Sequence, residues 1–191
     1  MPGLNAEVFG FLGSLDSRRQ KKVFHKRTDP AVRGFHPWWY VGSQSIQYNM
    51  PNTANTAQPF QVGSGWAWRV NGAAGNDGYG IFVGTGTTAV TIDDYNLAAK
   101  IAHGTGSGQL QYGDTTFTVP TKSGNDYYTE VIRGFTNISG ATITVAEVGL
   151  VYEYETQTTY RWLGWREVLG TAVGVDNNKT LTVTYRIKVT I

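Results

Sequence analysis

The sequence predicts an all-β fold: an antiparallel β-sandwich, jelly-roll-like, with an extended N-terminal arm and at most one short helix. Three observations carry this. The first is composition: among 191 residues there are 24 glycines and 11 tyrosines, aromatics make up 13%, and charged residues are 16%, against about 25% in ordinary soluble domains. The second is rhythm, since strand-like runs recur roughly every ten residues with turn chemistry between them. The third is the C-terminal run. There Leu181, Val183, Tyr185, Ile187 and Val189 alternate with Thr182, Thr184, Arg186, Lys188 and Thr190, the period of a strand with one face buried and one wet.

Along the chain, residues 1–40 read as a basic and aromatic arm and residues 41–191 as one sandwich domain, loop-rich over 41–82 and regular over 83–191. Apolar residues at mixed spacing (Val8, Phe9, Phe11, Leu12, Leu15) open the arm, and periodicity alone does not choose between extended and helical. The charged run SRRQKKVFHKR follows, closed by Asp29-Pro30, a turn signal. In Phe35-His36-Pro37-Trp38-Trp39-Tyr40 the proline excludes a regular helix. Trp66, Trp68 and Val70 alternate with Ala67 and Arg69 ahead of Asn71-Gly72, a strand running into a hairpin dipeptide. A strand restarts at Tyr79–Val83, and Asp93 or Asp94 is placed to cap a short helix through Ala98-Ala99-Lys100. Strands are expected at Gln109–Tyr112 and Thr116–Val119 around Gly113-Asp114, at Tyr127–Phe135, and at Ala141–Tyr152 after an Asn137–Gly140 turn. The Asp176–Lys179 turn predicts a hairpin joining the last strand to one near Arg166–Leu169.

The net charge of +2 hides an asymmetry: residues 1–36 hold seven basic and three acidic side chains, and the rest of the chain nine and eleven. A basic leader on a near-neutral body suits either contact with nucleic acid or an acidic neighbour, or a solvated face. Candidate partner contacts are Arg18, Arg19, Lys21, Lys22, Lys26 and Arg27 of the basic run and the rings of Phe35, Trp38, Trp39 and Tyr40. Trp162, Trp165 and Arg166 join them, because Trp and Arg dominate interface hot spots.

The absence of cysteine excludes disulfides, Cys-ligated metals and thiol catalysis. His25, His36 and His103 stand at no metal-ligand spacing, so no metal and no cofactor is expected. The Gly-Thr-Gly runs at 84–86 and 104–106 lack the lysine of a phosphate loop and are expected at turns or bulges with positive φ. Glu153 and Glu155 read as a solvated, aggregation-resistant edge. There is no G-x-S-x-G elbow, and no catalytic residue is assigned. Asn137 and Asn178 sit in glycosylation sequons but read as turn asparagines. No apolar run approaches the roughly 20 residues of a membrane span, and the opening MPGLNAEVFG lacks the order of a signal peptide. A soluble, non-exported protein is expected.

The stretches VGTGTTAVTIDDYNLAAKIAHGTGSGQLQY, TEVIRGFTNISGATITVAEVGLVY and WREVLGTAVGVDNNKTLTVTYRIKVTI, within residues 83–191, resemble a family of small β-rich structural proteins of tailed bacteriophages and prophages. The shared features are a Gly-Thr opening, a short Asp-capped segment, an Asn-x-Ser-Gly turn before a strand ending in Glu-x-Gly-Leu, and a final strand after a turn. Asp176-Asn177-Asn178-Lys179 stands where a Gly-containing turn is usual. The resemblance implies a virion protein without enzymatic activity. Within that class, the arm favours a capsid-associated role, as a minor or decoration protein or at the head–tail junction. Its partners would be other virion proteins and copies of itself, as a homo-oligomer, with only weak nucleic-acid contact and no membrane. A tail or baseplate component, or a carbohydrate-binding module stacking sugars on Trp66, Trp68 and Trp162, are the alternatives.

Overall fold

Alternating β-branched and aromatic residues can bury one side only if two sheets face each other, and the chain takes that form. The computed structural model describes residues 4–14, 20–28, 48–60, 68–155 and 159–190. Its strands are β1 (Leu4–Ser14), β2 (Gln20–Thr28), β3 (Tyr48–Pro51), β4 (Ala57–Phe60), β5 (Trp68–Arg69), β6 (Gly80–Gly84), β7 (Gln111–Phe117), β8 (Thr121–Ser123), β9 (Asp126–Asn137), β10 (Ile143–Glu155), β11 (Thr159–Val175) and β12 (Lys179–Thr190). The larger sheet runs β2-β1-β12-β9-β7, with β8 also on β9. The smaller runs β11-β10-β5, with β6 also on β10, and β3 and β4 form a separate hairpin. All strand pairings are antiparallel.

The last strand behaves as its alternation demands. Leu181, Val183 and Tyr185 are buried, together with Val131 and Phe135 of β9 and with Val145, Val148, Leu150, Leu163 and Val175 of the opposing sheet. Each such side chain contributes about 1.5–3 kcal/mol on burial, so the sandwich needs no covalent staple. Tyr112 sits edge-on to Phe135 at 4.8 Å and donates its hydroxyl to the Ile101 carbonyl.

Where described, the arm is a β-hairpin laid along the edge of the larger sheet. β1 pairs with β12 from Leu4↔Val189 to Ser14↔Lys179, β2 pairs with β1 across a bulge at Gly10/Phe11, and Val8 belongs to the core. Residues 1–3, 15–19 and 29–47 lie outside the described residues.

Four expectations are corrected. β11 and β12 are not a hairpin: the turn between them carries the chain from one sheet to the other. Asn178 takes a left-handed φ of 62°, which asparagine tolerates, and supplies what a glycine does in such turns. That turn docks on the other crossing: the Asn178 amide donates to the Asn137 carbonyl, the Gly140 amide to Asn177 Oδ1 and the Thr142 hydroxyl to Asp176. Buried Asn137 ties both crossings through Nδ2 to the Ala141 and Val175 carbonyls. Asn71-Gly72 closes no hairpin either, because β5 and β6 both pair with β10, at Glu153–Tyr154 and Glu147–Val151. The strands expected at 109–112 and 116–119 are one strand, β7, with a bulge between Tyr112 and Thr115. No helix forms among the described residues. The Asp94 carboxylate closes a turn on the Thr91 amide and hydroxyl, and the Ala98 and Ala99 amides donate to Glu147.

Candidate functional site

Among the described residues, three clusters of buried ionisable side chains stand out: two fasten loops to the sandwich, and the third ties β5 and β11 to β10. The first is built on Glu147, carried by β10 at a bulge and 0% exposed. Its carboxylate accepts from the amides of Gly86 (3.1 Å), Ala98 (3.1 Å) and Ala99 (2.7 Å) and from Arg166 Nε at 2.8 Å. Arg166, its neighbour on β11, donates onward to Asp94 (2.7 Å) and to the Thr88 carbonyl (2.9 Å). The long β6–β7 connection is thereby drawn across the smaller sheet, and Leu97 beds on Gly149, where a Cβ would lie 2.9 Å from its methyl.

The same cluster explains the first Gly-Thr-Gly run. At Gly84 a Cβ would stand 2.6 Å from the Ala99 carbonyl and from Glu147 Oε1, and at Gly86 it would collide with Glu147. Neither residue is among those with positive φ, so close approach of the carboxylate, not the expected backbone conformation, requires glycine here. Gly86→Ala is expected to lower stability by about 1–3 kcal/mol, read as a drop in urea midpoint at unchanged m-value.

The second cluster is Arg133, fully buried on β9. Its guanidinium donates to the carbonyls of Gly113 (2.8 Å), Tyr79 (3.2 Å), Ile81 (3.1 Å), Ala73 (3.1 Å) and Asn76. Its charged carbon lies 4.8 Å from the Tyr112 ring centroid, a cation–π contact. The planar fork thus gathers the 71–81 loop. Burial lowers the Arg133 pKa, although it stays far above neutrality because guanidinium starts so high.

In the third cluster Glu153 accepts from Arg69 (2.8 Å) and Arg161 (2.9 Å). Glu153 is buried, which corrects its reading as a solvated edge residue: β10 lies between β11 and β5, so its carboxylate is covered and paired. The side chain of Glu155 lies outside the described residues.

Asp94 and Asp77 share one electrostatic pattern. Burial works against each carboxylate, but Arg166 and Thr91 outweigh it at Asp94, as do the His103 amide and Lys100 at Asp77. Both pKa values fall below the ordinary aspartate value of about 3.9. A carboxyl that is more acidic when folded stabilises fully above its unfolded pKa, and that contribution is lost as pH falls through the folded value. Replacing both aspartates by asparagine is expected to flatten the decline in urea midpoint between about pH 5 and pH 2.

Of the residues singled out in the sequence, Trp162, Trp165 and Arg166 are 1%, 4% and 2% exposed. They build this chain's own interior, so they offer no surface for a partner, and Trp162 offers none for a sugar. Trp162 packs beside Tyr154 and Tyr160, and Trp165 beside Tyr152. Lys21, Lys22, Lys26 and Arg27 stand on β2, opposite Leu12, Phe11, Val8 and Glu7 of β1. Arg18, Arg19, Phe35, Trp38, Trp39, Tyr40, His36 and Trp66 lie outside the described residues. His103 is the polar loop residue expected, and its Nδ1 accepts the Tyr112 amide at 3.1 Å.

Arg133 and Glu147 are both buried anchors, a role the sequence reading assigns to neither. Arg133 shares its parity with Val131 and Phe135, so an arginine on the apolar face was a readable signal; Glu147 follows a bulge, which hides its face from simple alternation.

Chemically these clusters hold and position. The carboxylates meet arginines and backbone amides rather than each other, and among the described residues no three His, Asp or Glu side chains are grouped to hold a metal. Comparison with protein-family models, curated proteins and solved structures finds no match.

Proposed function

We propose that this chain is a non-enzymatic structural protein of a tailed-phage virion, capsid-associated as a minor or decoration protein or at the head–tail junction, and joined to its neighbours through its N-terminal hairpin. The observation that carries this reading is the position of the basic run. β2, with Lys21, Lys22, Lys26 and Arg27, is the outermost strand of the larger sheet, and no strand lies beyond it among the described residues. An open strand edge accepts an added strand by main-chain hydrogen bonding. A lysine-rich edge repels a second copy of itself, which favours a different, acidic partner. The interior charges support the same reading, since they fix loops to the sandwich and leave the edges and outer faces for contact.

The test is charge reversal in the intact chain, Lys21, Lys22, Lys26 and Arg27 to Glu. Removing the hairpin itself would strip Val8 from the core and uncover β12. Particles assembled with the variant are expected to lack the protein while its melting temperature changes little. Wild-type occupancy of a folded variant would refute docking through this edge.

A further inference from the structure

Asn71-Gly72 is the chain's only Asn-Gly pair, and the fold does not use it to turn a hairpin, since β5 and β6 both pair with β10. It lies between β5 and β6 outside any strand, with Asn71 exposed and Gly72 buried. Among the described residues no hydrogen bond engages the Asn71 side-chain amide or the Gly72 N–H. Gly72 is held through its carbonyl alone, which accepts the Thr115 amide at 2.8 Å.

Other asparagines at turns are tied down. Asn52 Oδ1 accepts the Ala54 and Thr56 amides, Asn76 Oδ1 the Gly78 amide, and Asn177 Oδ1 the Gly140 amide. Asn137 Nδ2 donates to two carbonyls. The amides that follow Asn177 and Asn178 donate to the Asn137 and Asp176 carbonyls.

The difference bears on one reaction. Asparagine is thermolabile because the backbone nitrogen of the next residue can attack its side-chain carbonyl carbon. A new N–Cγ bond closes a five-membered succinimide, the Cγ–Nδ2 bond breaks, and the side-chain nitrogen leaves as ammonia with the proton given up by the attacking nitrogen. Water then opens the ring at either carbonyl. One product is aspartate; the other is isoaspartate, whose backbone runs through the side chain and is one carbon longer. The reaction needs only water as co-reactant. It favours a nucleophile whose N–H is not engaged by an acceptor, on a glycine with no Cβ to obstruct ring closure, and Asn71-Gly72 meets both conditions.

We propose that Asn71 is a site of spontaneous deamidation in the folded protein, and that its isoaspartyl product unfastens the 71–81 loop. Gly72 has no slack to absorb an extra carbon: a Cβ on it would lie 2.5 Å from the Tyr79 carbonyl oxygen and 3.5 Å from Arg133 Nη1. The lengthened backbone therefore displaces the Gly72 carbonyl from Thr115 and disturbs the loop that Arg133 gathers. The modification stands independently of the virion reading and of docking through β2.

The full chain held at about 37 °C and about pH 8 is followed over weeks by peptide mapping, beside the same chain unfolded in about 6 M guanidinium chloride. In the folded protein Asn71 is expected to be the first asparagine to gain one mass unit, at a rate within about tenfold of the unfolded one. A folded rate lower than that would overturn the site, because conversion would then wait for the loop to open. Earlier conversion at any other asparagine would overturn it too. In the isoaspartyl form, separated by ion exchange, the Thr115 amide is expected to exchange at least about tenfold faster than in fresh protein. Asn71→Asp, which adds the charge without the extra carbon, is expected to leave that amide slow. Unchanged Thr115 protection in the isoaspartyl form, or an equal loss in Asn71→Asp, would overturn the unfastening.

Discussion

Glu147→Ala is expected to destabilise the protein by about 3–5 kcal/mol, the range for removing one partner of a buried ion pair. The size follows from what the carboxylate holds: the Arg166 guanidinium and the amides of Gly86, Ala98 and Ala99. Alanine leaves a cation 2% exposed with only Asp94 to balance it, and three amides without their acceptor. A lost acceptor is costlier than a lost pair, because the donor keeps its desolvation penalty. Two comparisons separate these contributions in urea denaturation. Glu147→Gln keeps an acceptor oxygen but removes the charge, and should fall between wild type and alanine. Glu147→Ala combined with Arg166→Met should lose less than the sum of the single changes, as expected for residues in one network.

Arg133→Met is expected to be of similar size, about 3–5 kcal/mol, with a different signature. The methionine fills part of the space and keeps apolar contact with Tyr112, but the carbonyls of Ala73, Asn76, Tyr79, Ile81 and Gly113 lose a shared donor. Hydrogen exchange across 71–81 should accelerate more than in β9 itself. Arg133→Lys should recover little, because an ammonium is a point donor and cannot span five carbonyls as a planar fork does.

Much of the sandwich was legible because its signal is local. The alternation from Leu181 to Ile187 fixes a strand whatever surrounds it, and the Asn137–Gly140 turn stops one strand before the next. The misreadings share one cause, which is that partners distant in sequence decide. Asp176–Lys179 is a genuine turn, but turn chemistry does not say whether the chain returns within its sheet or crosses to the other. That choice is made by Asn137, some forty residues earlier. Glu153 has the composition of a wet edge, and only Arg69, 84 residues away, makes its burial tolerable. Trp162 and Trp165 look like interface anchors because tryptophan serves both interfaces and cores, and sequence cannot tell which surface covers a ring. The Gly-Thr-Gly run at 84–86 pointed to a need for glycine but not to its reason, the approach of a carboxylate from β10.

Buried charge binds the long loops into the sandwich as part of one rigid body. Native-state hydrogen exchange at individual amides measures this directly. The amides of Gly86, Ala98 and Ala99 should be protected to within about tenfold of the β10 and β12 amides, opening only with the whole domain. In Glu147→Gln that protection should collapse first. Exchange at these three amides as fast as at an exposed turn in the wild-type protein, with the strands still protected, would show that buried charge does not hold the loop layer to the sandwich.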